Sequence, residues 1–188
     1  MRYFTSDTHF GHTNIIKYCN RPFADAGEMD RALIENWNAI VKPEDTVYHM
    51  GDVAFTSPDR ATHILSNLNG YKILTLGNHD RNGIKMKGWG FDEVHQQLQI
   101  ELEGGIKANL SHYPYKGTPD DHHKNKFETK NLKDDGALLI CGHVHVAWKT
   151  RPGQFKNHMI NVGVDMWDYK PVSEIQLLEY YKTLLTKK

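Results

Sequence analysis

Five short segments of this 188-residue chain are rich in carboxylate, imidazole and amide side chains. They are Asp7-Thr8-His9, Gly51-Asp52-Val53, Gly77-Asn78-His79-Asp80, Ser111-His112 and Gly142-His143-Val144-His145. Their ligating groups are of the number and kind that two divalent cations sharing one bridging ligand require. The segments therefore predict a two-metal centre, whose typical chemistry is the hydrolysis of a phosphoester by a hydroxide activated between the two cations.

The spacing of the candidate ligands is informative in two of the segments. Asp7 and His9 are two residues apart, as are His143 and His145, so each pair faces one side of a regular strand and can approach one cation together. The alternative for the first pair is a solvated loop aspartate beside an ordinary histidine. For the second pair it is coincidence, because the chain contains 12 histidines.

Asp52 and Asn78 differ in what they could offer a cation. Asp52 has two carboxylate oxygens and could bridge two cations, whereas the alternative is an ordinary turn aspartate after Gly51. Asn78 would supply a neutral oxygen to a site that already contains two carboxylates. Its alternative is a turn of the kind that Gly-Asn pairs often make.

The first half of the chain alternates between predicted strands and helices. Residues 2–6, 46–50 and 71–76 favour strands, and a candidate segment follows each of them. Helical spacing of apolar residues predicts a helix over residues 27–41, with Asp25 as a possible cap. A second helix is predicted to begin at Ser57-Pro58 and to end at Asn69-Gly70. This order predicts parallel βαβ units with a site beyond the carboxyl ends of the strands.

The second half is predicted to be richer in strands. Residues 97–102 and 106–110 alternate around Gly104-Gly105 and predict a hairpin, and residues 137–141 and 159–164 predict two further strands. The segment after Ser173 is compatible with either a helical turn or a strand. Residues 119–133 predict a surface excursion, in which His122 and His123 face solvent or belong to a lid.

Composition limits the classes of partner. The length predicts one domain over residues 1–188, and equal totals of 23 basic and 23 acidic residues give no field for a long nucleic acid or an anionic membrane. No window approaches the roughly 18 apolar residues of a membrane span, and the amino-terminal residues do not resemble a signal peptide. Cys19 and Cys141 are the two cysteines, which indicates a reducing interior. These features predict a cytoplasmic protein.

Taken together, the five segments resemble the full signature of the calcineurin-like metallophosphoesterases, which here extends from residue 7 to residue 145. The resemblance implies an α/β (α+β) fold, in which a two-sheet β-sandwich is flanked by helices and carries a dinuclear site at the loop ends. The opening segment and the later Asn161-Val162-Gly163 are similar to the small bacterial and phage phosphoesterases of this superfamily.

The same resemblance implies a role for each candidate residue. One metal would be held by Asp7, His9, Asp52 and His145, and the second by Asp52 as the bridge together with Asn78, His112 and His143. His79 would face the substrate, and Asp80 would orient it. Separately, the leaving oxygen must gain a proton, and His79 is the candidate donor, with Asp80 fixing its ring.

Three further residues are candidate substrate contacts. Arg81 and Arg21 could bind phosphate oxygens in two-point geometry, with a solvated surface arginine as the alternative for each. His12 could line the pocket, or it could cap a helix that begins near Thr13.

The prediction is thus a metal-dependent phosphoesterase acting on a small phosphodiester or nucleotide. Mn²⁺ is the favoured metal, and Fe, Zn²⁺ or Ni²⁺ would also suit mixed oxygen and imidazole ligands. The nearest alternative is a phosphomonoesterase that uses the same site. A non-catalytic metal-binding scaffold is a more distant interpretation. So is a DNA nuclease of the same superfamily, which would require a basic groove or a capping module.

Overall fold

The computed structural model of the protein describes residues 1–118 and 128–186, and within them the chain forms two five-stranded sheets. The predictions for His122 and His123 lie outside the described residues. In chain order the strands are β1 (Arg2–Thr5), β2 (Thr46–His49), β3 (Tyr71–Thr75), β4 (Glu93–His95), β5 (Leu98–Leu102), β6 (Ile106–Leu110), β7 (Leu138–Cys141), β8 (Thr150–Pro152), β9 (His158–Asn161) and β10 (Val172–Ser173). The α-helices are α1 (Thr13–Tyr18), α2 (Ala26–Asn38), α3 (Pro58–Ser66), α4 (Gly83–Trp89) and α5 (Glu174–Thr186).

The first sheet has the strand order β10-β1-β2-β3-β4. Strands β1 to β4 are parallel, and β10 pairs with β1 in the antiparallel direction. Parallel neighbours need a crossover connection, which α2 supplies between β1 and β2 and α3 between β2 and β3. The parallel βαβ arrangement predicted for the first half of the chain is therefore confirmed.

The second sheet has the order β5-β6-β7-β9-β8. Strands β5 and β6 form the predicted hairpin, in which Leu102 lies opposite Ile106 across the Gly104-Gly105 turn. Strands β6, β7 and β9 are parallel, and β8 adds an antiparallel edge. Consequently β6 and β7 end on the same side of their sheet, next to Ser111 and Gly142 respectively.

Two buried layers hold the sheets and helices together. Between the sheets, Phe4 and Tyr48 of the first sheet pack in one cluster with Leu110, Ile140 and Ile160 of the second. Outside the first sheet, Met29 and Leu33 of α2 and Leu65 of α3 pack in a second cluster with Val47 of β2 and Leu74 of β3. Two sheets flanked by helices are the fold that the family resemblance implied.

Capping residues fix where the two predicted helices begin. The Asp25 carboxylate accepts a hydrogen bond from the backbone N–H of Glu28 at the start of α2. The Ser57 hydroxyl accepts one from the N–H of Arg60 at the start of α3, where Pro58 occupies the first turn. Both caps agree with the sequence-based prediction.

Several elements differ from the prediction or add to it. The segment after Ser173 is the helix α5, preceded by the two-residue strand β10. The strand predicted for residues 159–164 ends at Asn161 and continues into a 3-10 turn over Val164–Met166. Helix α1 begins at Thr13, and helix α4 and strands β4 and β8 are further elements that the sequence did not predict. Among the described residues, no helix is long and apolar enough to cross a bilayer.

Candidate metal centre

The loops that leave five strands bring the predicted ligands together. Asp7, Asp52 and Asn78 follow β1, β2 and β3, whereas His112 follows β6 and both His143 and His145 follow β7. The ligand atoms of Asp7, His9 and His145 lie within 4.8 Å of one another, as do those of Asp7, Asp52 and His112. Side chains from both sheets thus converge on one place.

Asp52 lies between the two groups of ligands. Its Oδ2 is 3.6 Å from Nε2 of His9 and 3.5 Å from Nε2 of His112. Its other oxygen, Oδ1, accepts a hydrogen bond of 2.9 Å from the backbone N–H of His79. This position supports the expected bridging role, and Asp7 is a second carboxylate within reach of both groups.

His112 presents an unprotonated nitrogen to two other candidate ligands. Its Nδ1 lies 2.6 Å from the carbonyl oxygen of Met50, which can only accept, so Nδ1 carries the hydrogen. Burial lowers the pKa of His112, so the ring is neutral and Nε2 has a lone pair. That nitrogen is 3.1 Å from Oδ1 of Asn78 and 3.2 Å from Nδ1 of His143. Nε2 of His112 is therefore close to an oxygen and a nitrogen of two other candidate ligands, as expected for ligands of one cation.

His9 has a similar inward-facing nitrogen. Its Nε2 is buried without a hydrogen-bond partner in the described part of the chain and faces Oδ2 of Asp52. Burial, followed by the charge of His145, lowers the pKa of His9 well below its ordinary value. A neutral, buried imidazole nitrogen that has no protein partner is suited to a metal ion.

The buried carboxylates also require a positive partner. Asp7 and Asp52 are almost fully buried, and burial raises the pKa of each. Burial alone would lower the pKa of His145, but the nearby Asp7 and Asp165 carboxylates raise it well above its ordinary value. A bound divalent cation reverses these shifts because its charge favours ionised carboxylates and neutral imidazoles. The donor set therefore fits divalent metal ions.

The backbone at the candidate ligands is unusual. Asp7, His9, Asp52, His143 and His145 all have positive φ, with values of 56°, 48°, 57°, 71° and 42°. Residues other than glycine adopt this left-handed region rarely, and such strain is concentrated at functional sites. Five candidate ligands in this conformation indicate that the loops are shaped to aim side chains at a common point.

Two glycines allow the loops to approach the carboxylates. A Cβ at Gly142 would overlap Oδ2 of Asp7 and Oγ of Ser6, and a Cβ at Gly77 would overlap Oδ1 of Asp52. In place of side chains, the loop after β7 brings the N–H of His143 to 3.0 Å from Oδ2 of Asp7. The two sheets are therefore joined directly at the site.

Asp80 has a different role from the expected one. Its carboxylate accepts hydrogen bonds from the backbone N–H groups of Gly77, Asp52 and Val53 at 2.8, 2.9 and 3.0 Å. It therefore fixes the loops after β2 and β3 to each other, and these contacts replace the predicted orientation of the His79 ring. His79 has a side chain that is 40% exposed, with Nε2 at 4.0 Å from Oδ2 of Asp52.

Arg21 is neither a surface residue nor placed as a substrate contact. Its side chain is fully buried and forms two hydrogen bonds to Asp165, at 2.8 and 2.9 Å. It also donates to the carbonyl oxygens of Asp7 and Thr8, at 2.8 and 3.0 Å. The guanidinium therefore supports the loop after β1 through its backbone. Arg21 has a structural role, and the prediction that it binds phosphate is wrong.

Asp165 is a functional residue that the sequence patterns do not reveal. Its Oδ2 lies 3.6 Å from Nδ1 of His145, so the carboxylate connects Arg21 to a candidate ligand. No local motif marks this aspartate, although it closely follows the Asn161-Val162-Gly163 segment of the family resemblance. Asn161 contributes as well, since its amide donates to the carbonyl oxygen of His145.

An open cleft of about 550 Å³ adjoins the cluster. It is lined by Ala54, Phe55, Thr56, Asn78, His79, Asp80, Arg81 and Trp89. Arg81 is exposed here, so it can reach a phosphate in the cleft. His12 makes no side-chain cap in the described part of the chain, and its Nδ1 lies 3.2 Å from Nδ1 of His9. The structure therefore places His12 beside the site rather than in a capping role.

The profile of the calcineurin-like phosphoesterase superfamily domain matches residues 3–175 of the chain. An uncharacterized protein of Methanocaldococcus jannaschii is 35% identical, with 98% of this chain and 94% of that protein covered. The gene 66 protein of Mycobacterium phage L5 is 34% identical, with coverages of 88% and 86%. The crystal structure of a protein of unknown function from Aquifex aeolicus is 33% identical, with a TM-score of 0.72, and covers 96% of this chain and 98% of its own.

Proposed function

The chain belongs to the calcineurin-like phosphoesterase superfamily, and we propose on that premise that it is a metal-dependent hydrolase of a small phosphodiester or nucleotide. The observation that carries the proposal is the convergence of buried carboxylate oxygens and imidazole nitrogens from the loops of both sheets. Oδ2 of Asp52 lies 3.6 Å from Nε2 of His9 and 3.5 Å from Nε2 of His112. Burial of carboxylates beside neutral imidazoles is costly, and a cation bound among them would offset that cost.

The ligands divide into two groups that share Asp52. One group comprises Asp7, His9 and His145, and the other comprises Asn78, His112 and His143. When bound, two divalent cations would lower the pKa of a shared water and neutralise charge on phosphate oxygens. Mn²⁺ is the favoured occupant, and Fe, Zn²⁺ and Ni²⁺ suit the same mixture of oxygen and imidazole ligands.

His79 is the proposed proton donor to the leaving oxygen. Its ring faces the cleft and is partly exposed, whereas its backbone N–H is fixed to Oδ1 of Asp52. This arrangement holds the partly exposed ring beside the candidate metal centre, where a substrate in the cleft can contact it. General acid catalysis by a positioned histidine accelerates such reactions by about 10²–10⁴-fold.

The substrate class follows from the shape and charge around the cleft. The cleft is open, and the exposed guanidinium of Arg81 that lines it matches phosphate oxygens. The chain has no net charge, so attraction for an anion is local and a long nucleic acid is not expected as a substrate. We propose that the substrate is a small phosphoester and that the protein acts in the cytoplasm without a membrane partner.

Metal content and ester preference together test this function. The purified protein is assayed for bound metals and then, with added Mn²⁺, for hydrolysis of bis(p-nitrophenyl) phosphate and p-nitrophenyl phosphate. We expect metal-dependent hydrolysis of both, with the larger kcat/KM for the diester. A larger kcat/KM for the monoester would favour the phosphomonoesterase alternative. Occupied metal sites without any hydrolysis would favour the scaffold.

Two variants separate the roles of the residues. His79→Ala should lower kcat by about 10²–10⁴-fold while the bound metal per chain stays close to that of the unmodified protein. Asp52→Ala should remove metal and activity together, because it deletes the carboxylate between the two groups. His63→Ala, at an exposed histidine of α3, is the matched control and should change neither quantity. Loss of both metals in His79→Ala, or full activity in Asp52→Ala, would show that these roles are wrong.

A further inference from the structure

Phe55 is an exposed aromatic residue at the mouth of the cleft. It is 56% exposed, although it lines the same cleft as His79 and Arg81. Its ring is stacked on the ring of His12, with centroids 4.6 Å apart and 27° between the planes. The His79 ring lies nearly perpendicular to the Phe55 ring, with centroids 5.8 Å apart and 80° between the planes. A large apolar ring thus faces solvent directly beside the proposed proton donor.

The backbone around Phe55 holds this ring in place. The N–H of Phe55 donates to the carbonyl oxygen of Phe10 at 2.8 Å, and Ala54 forms a bridge with Phe10. Gly11 has a φ of 76°, and a Cβ there would come within 2.7 Å of Cβ of Thr56. Because the loops after β1 and β2 fit closely here, the ring is pre-organised rather than carried on a free loop.

The exposed aromatic surface continues away from the site. Tyr18, 71% exposed at the end of α1, lies nearly perpendicular to the His12 ring, with centroids 6.4 Å apart. Tyr18, His12, Phe55 and His79 therefore form a short aromatic row that ends at the candidate metal centre. Aromatic side chains stack well on planar ligands and do so for every nucleobase.

We propose that Phe55 is a stacking platform for a planar ring of the substrate, a nucleobase, whose phosphate lies between His79 and Arg81. The inference rests on the proposed function and deepens it, because it assigns the substrate to phosphoesters that carry a base. The platform offers a ring face and no hydrogen-bonding edge, so it favours planar groups over alkyl groups and discriminates little among bases. Its close approach to His79 puts the base and the reacting phosphate within the length of one nucleotide.

The alternative is that Phe55 acts only by keeping His12 and His79 in place. In that case its removal would harm all substrates equally, because the geometry of His79 would change for each of them. A platform would instead affect substrates according to the planar group that they carry. The two roles are therefore separable by comparing substrates that differ only in that group.

The test uses two phosphodiesters that release the same p-nitrophenolate. One is the p-nitrophenyl ester of thymidine monophosphate, and the other is methyl p-nitrophenyl phosphate, both assayed with the metal-loaded protein. Phe55→Ala should lower the ratio of kcat/KM between the thymidine and methyl esters by about ten-fold, mainly through KM. Phe55→Trp, which keeps a ring, should restore most of the ratio. Phe155→Ala, at an aromatic residue that is 63% exposed and does not line the cleft, should leave the ratio unchanged.

The outcomes distinguish this inference from the proposed function. Equal losses for both esters in Phe55→Ala would overturn the platform while leaving the hydrolase intact. If the unmodified protein hydrolyses neither ester, the proposed function fails, and calorimetric binding of thymidine monophosphate then decides the inference. Weaker binding to Phe55→Ala, by about ten-fold, would support the platform, and equal binding to both proteins would overturn it.

Discussion

Asp165 connects a buried arginine to a candidate metal ligand. Both of its oxygens accept hydrogen bonds from Arg21, and Oδ2 lies 3.6 Å from Nδ1 of His145. Arg21 also binds the carbonyl oxygens of Asp7 and Thr8, so the same pair supports ligands from both sheets. Carboxylates in this position orient ligating histidines and tune their affinity for metal.

We expect Asp165→Asn to weaken metal binding by about 10–100-fold, because the amide no longer offers a charged acceptor to His145. It should also lower the free energy of unfolding by about 3–5 kcal/mol, since the buried Arg21 charge loses its partner. Competition with a metal-binding dye and denaturant titration measure the two effects. Asp168→Asn, at an exposed aspartate nearby, is the control. Unchanged metal affinity in Asp165→Asn would contradict the orienting role.

At the residue scale, the sequence predicted which side chains converge but not how they are supported. Asp7, His112 and His145 could be selected by type and spacing because such ligands follow strand ends. The partners of Asp80 and Arg21 could not be selected in this way. Asp80 binds backbone N–H groups up to 28 residues away, and Arg21 binds a carboxylate 144 residues away. These contacts depend on the folded arrangement of the loops.

The loops after β3 and β7 show how an element presents a ligand. Gly142 leaves room for the Asp7 carboxylate, and the next residue, His143, donates its N–H to that carboxylate. Gly77 makes the same kind of space for Asp52. The absence of a side chain at these positions is therefore a requirement of the site.

Gly142→Ala should displace Asp7 and abolish tight metal binding, because its Cβ would overlap both Asp7 and Ser6. The matched control is Gly88→Ala in α4, where a Cβ would meet no atom within 4 Å. There the free energy of unfolding should rise by up to about 1 kcal/mol, since alanine favours a helix. Bound metal per chain and the thermal midpoint are the measurements. Full metal occupancy in Gly142→Ala would mean that the loop adjusts at little cost.

The elements that the sequence predicted well have strong local signals. Helices α2 and α3 have capping residues and an apolar stripe. Strands β1, β2 and β3 are short runs rich in aromatic and β-branched residues before polar segments. By contrast, β4 and β8 have only three residues each, too few for a period to show. In α5, apolar residues at 175, 177, 178 and 181 are compatible with either period, so tertiary packing decided the outcome.

At the scale of the whole molecule, stability should depend on a histidine outside the ligand set. His49 is buried at the end of β2, where Nε2 donates to the Thr8 hydroxyl, whose own hydrogen binds the carbonyl oxygen of Val53. Its Nδ1 is buried without a partner in the described part of the chain. Burial is the main cause that lowers the pKa of His49, to about 3.

The sign of the resulting pH dependence follows from proton binding. Between about pH 6.5 and about pH 3 the unfolded histidine binds a proton and the folded one does not, so the free energy of unfolding falls as the pH falls through this window. Above about pH 6.5, His49 makes its full contribution to the free energy of unfolding. When the pH falls from about 7 to about 5, the titration of His49 should lower the free energy of unfolding by about 2 kcal/mol.

His49→Gln keeps a donor for Thr8 and removes the titration. Denaturant unfolding at the two pH values, with a chelator present so that metal release does not contribute, compares this variant with the unmodified protein. The variant should lose less stability on acidification. Equal losses in the two proteins would show that His49 is not the group responsible.

Strand order across the molecule lay beyond what sequence patterns could predict. Local periodicity identifies a strand but contains no information about its distant neighbours. The edge strand β10 consists of Val172–Ser173, yet it pairs with β1. Arg2 strengthens the pairing through a 2.6 Å hydrogen bond to Glu174.

The late arrival of β10 has a consequence for biosynthesis. As the polypeptide leaves the ribosome, β1 can pair with β2 early. Its other edge has no hydrogen-bonding partner until residues 172 and 173 have been translated. Unpaired strand edges can form hydrogen bonds with other chains and so lead to aggregation. Truncated or stalled translation products of this protein should therefore aggregate readily and depend on chaperones to stay in solution.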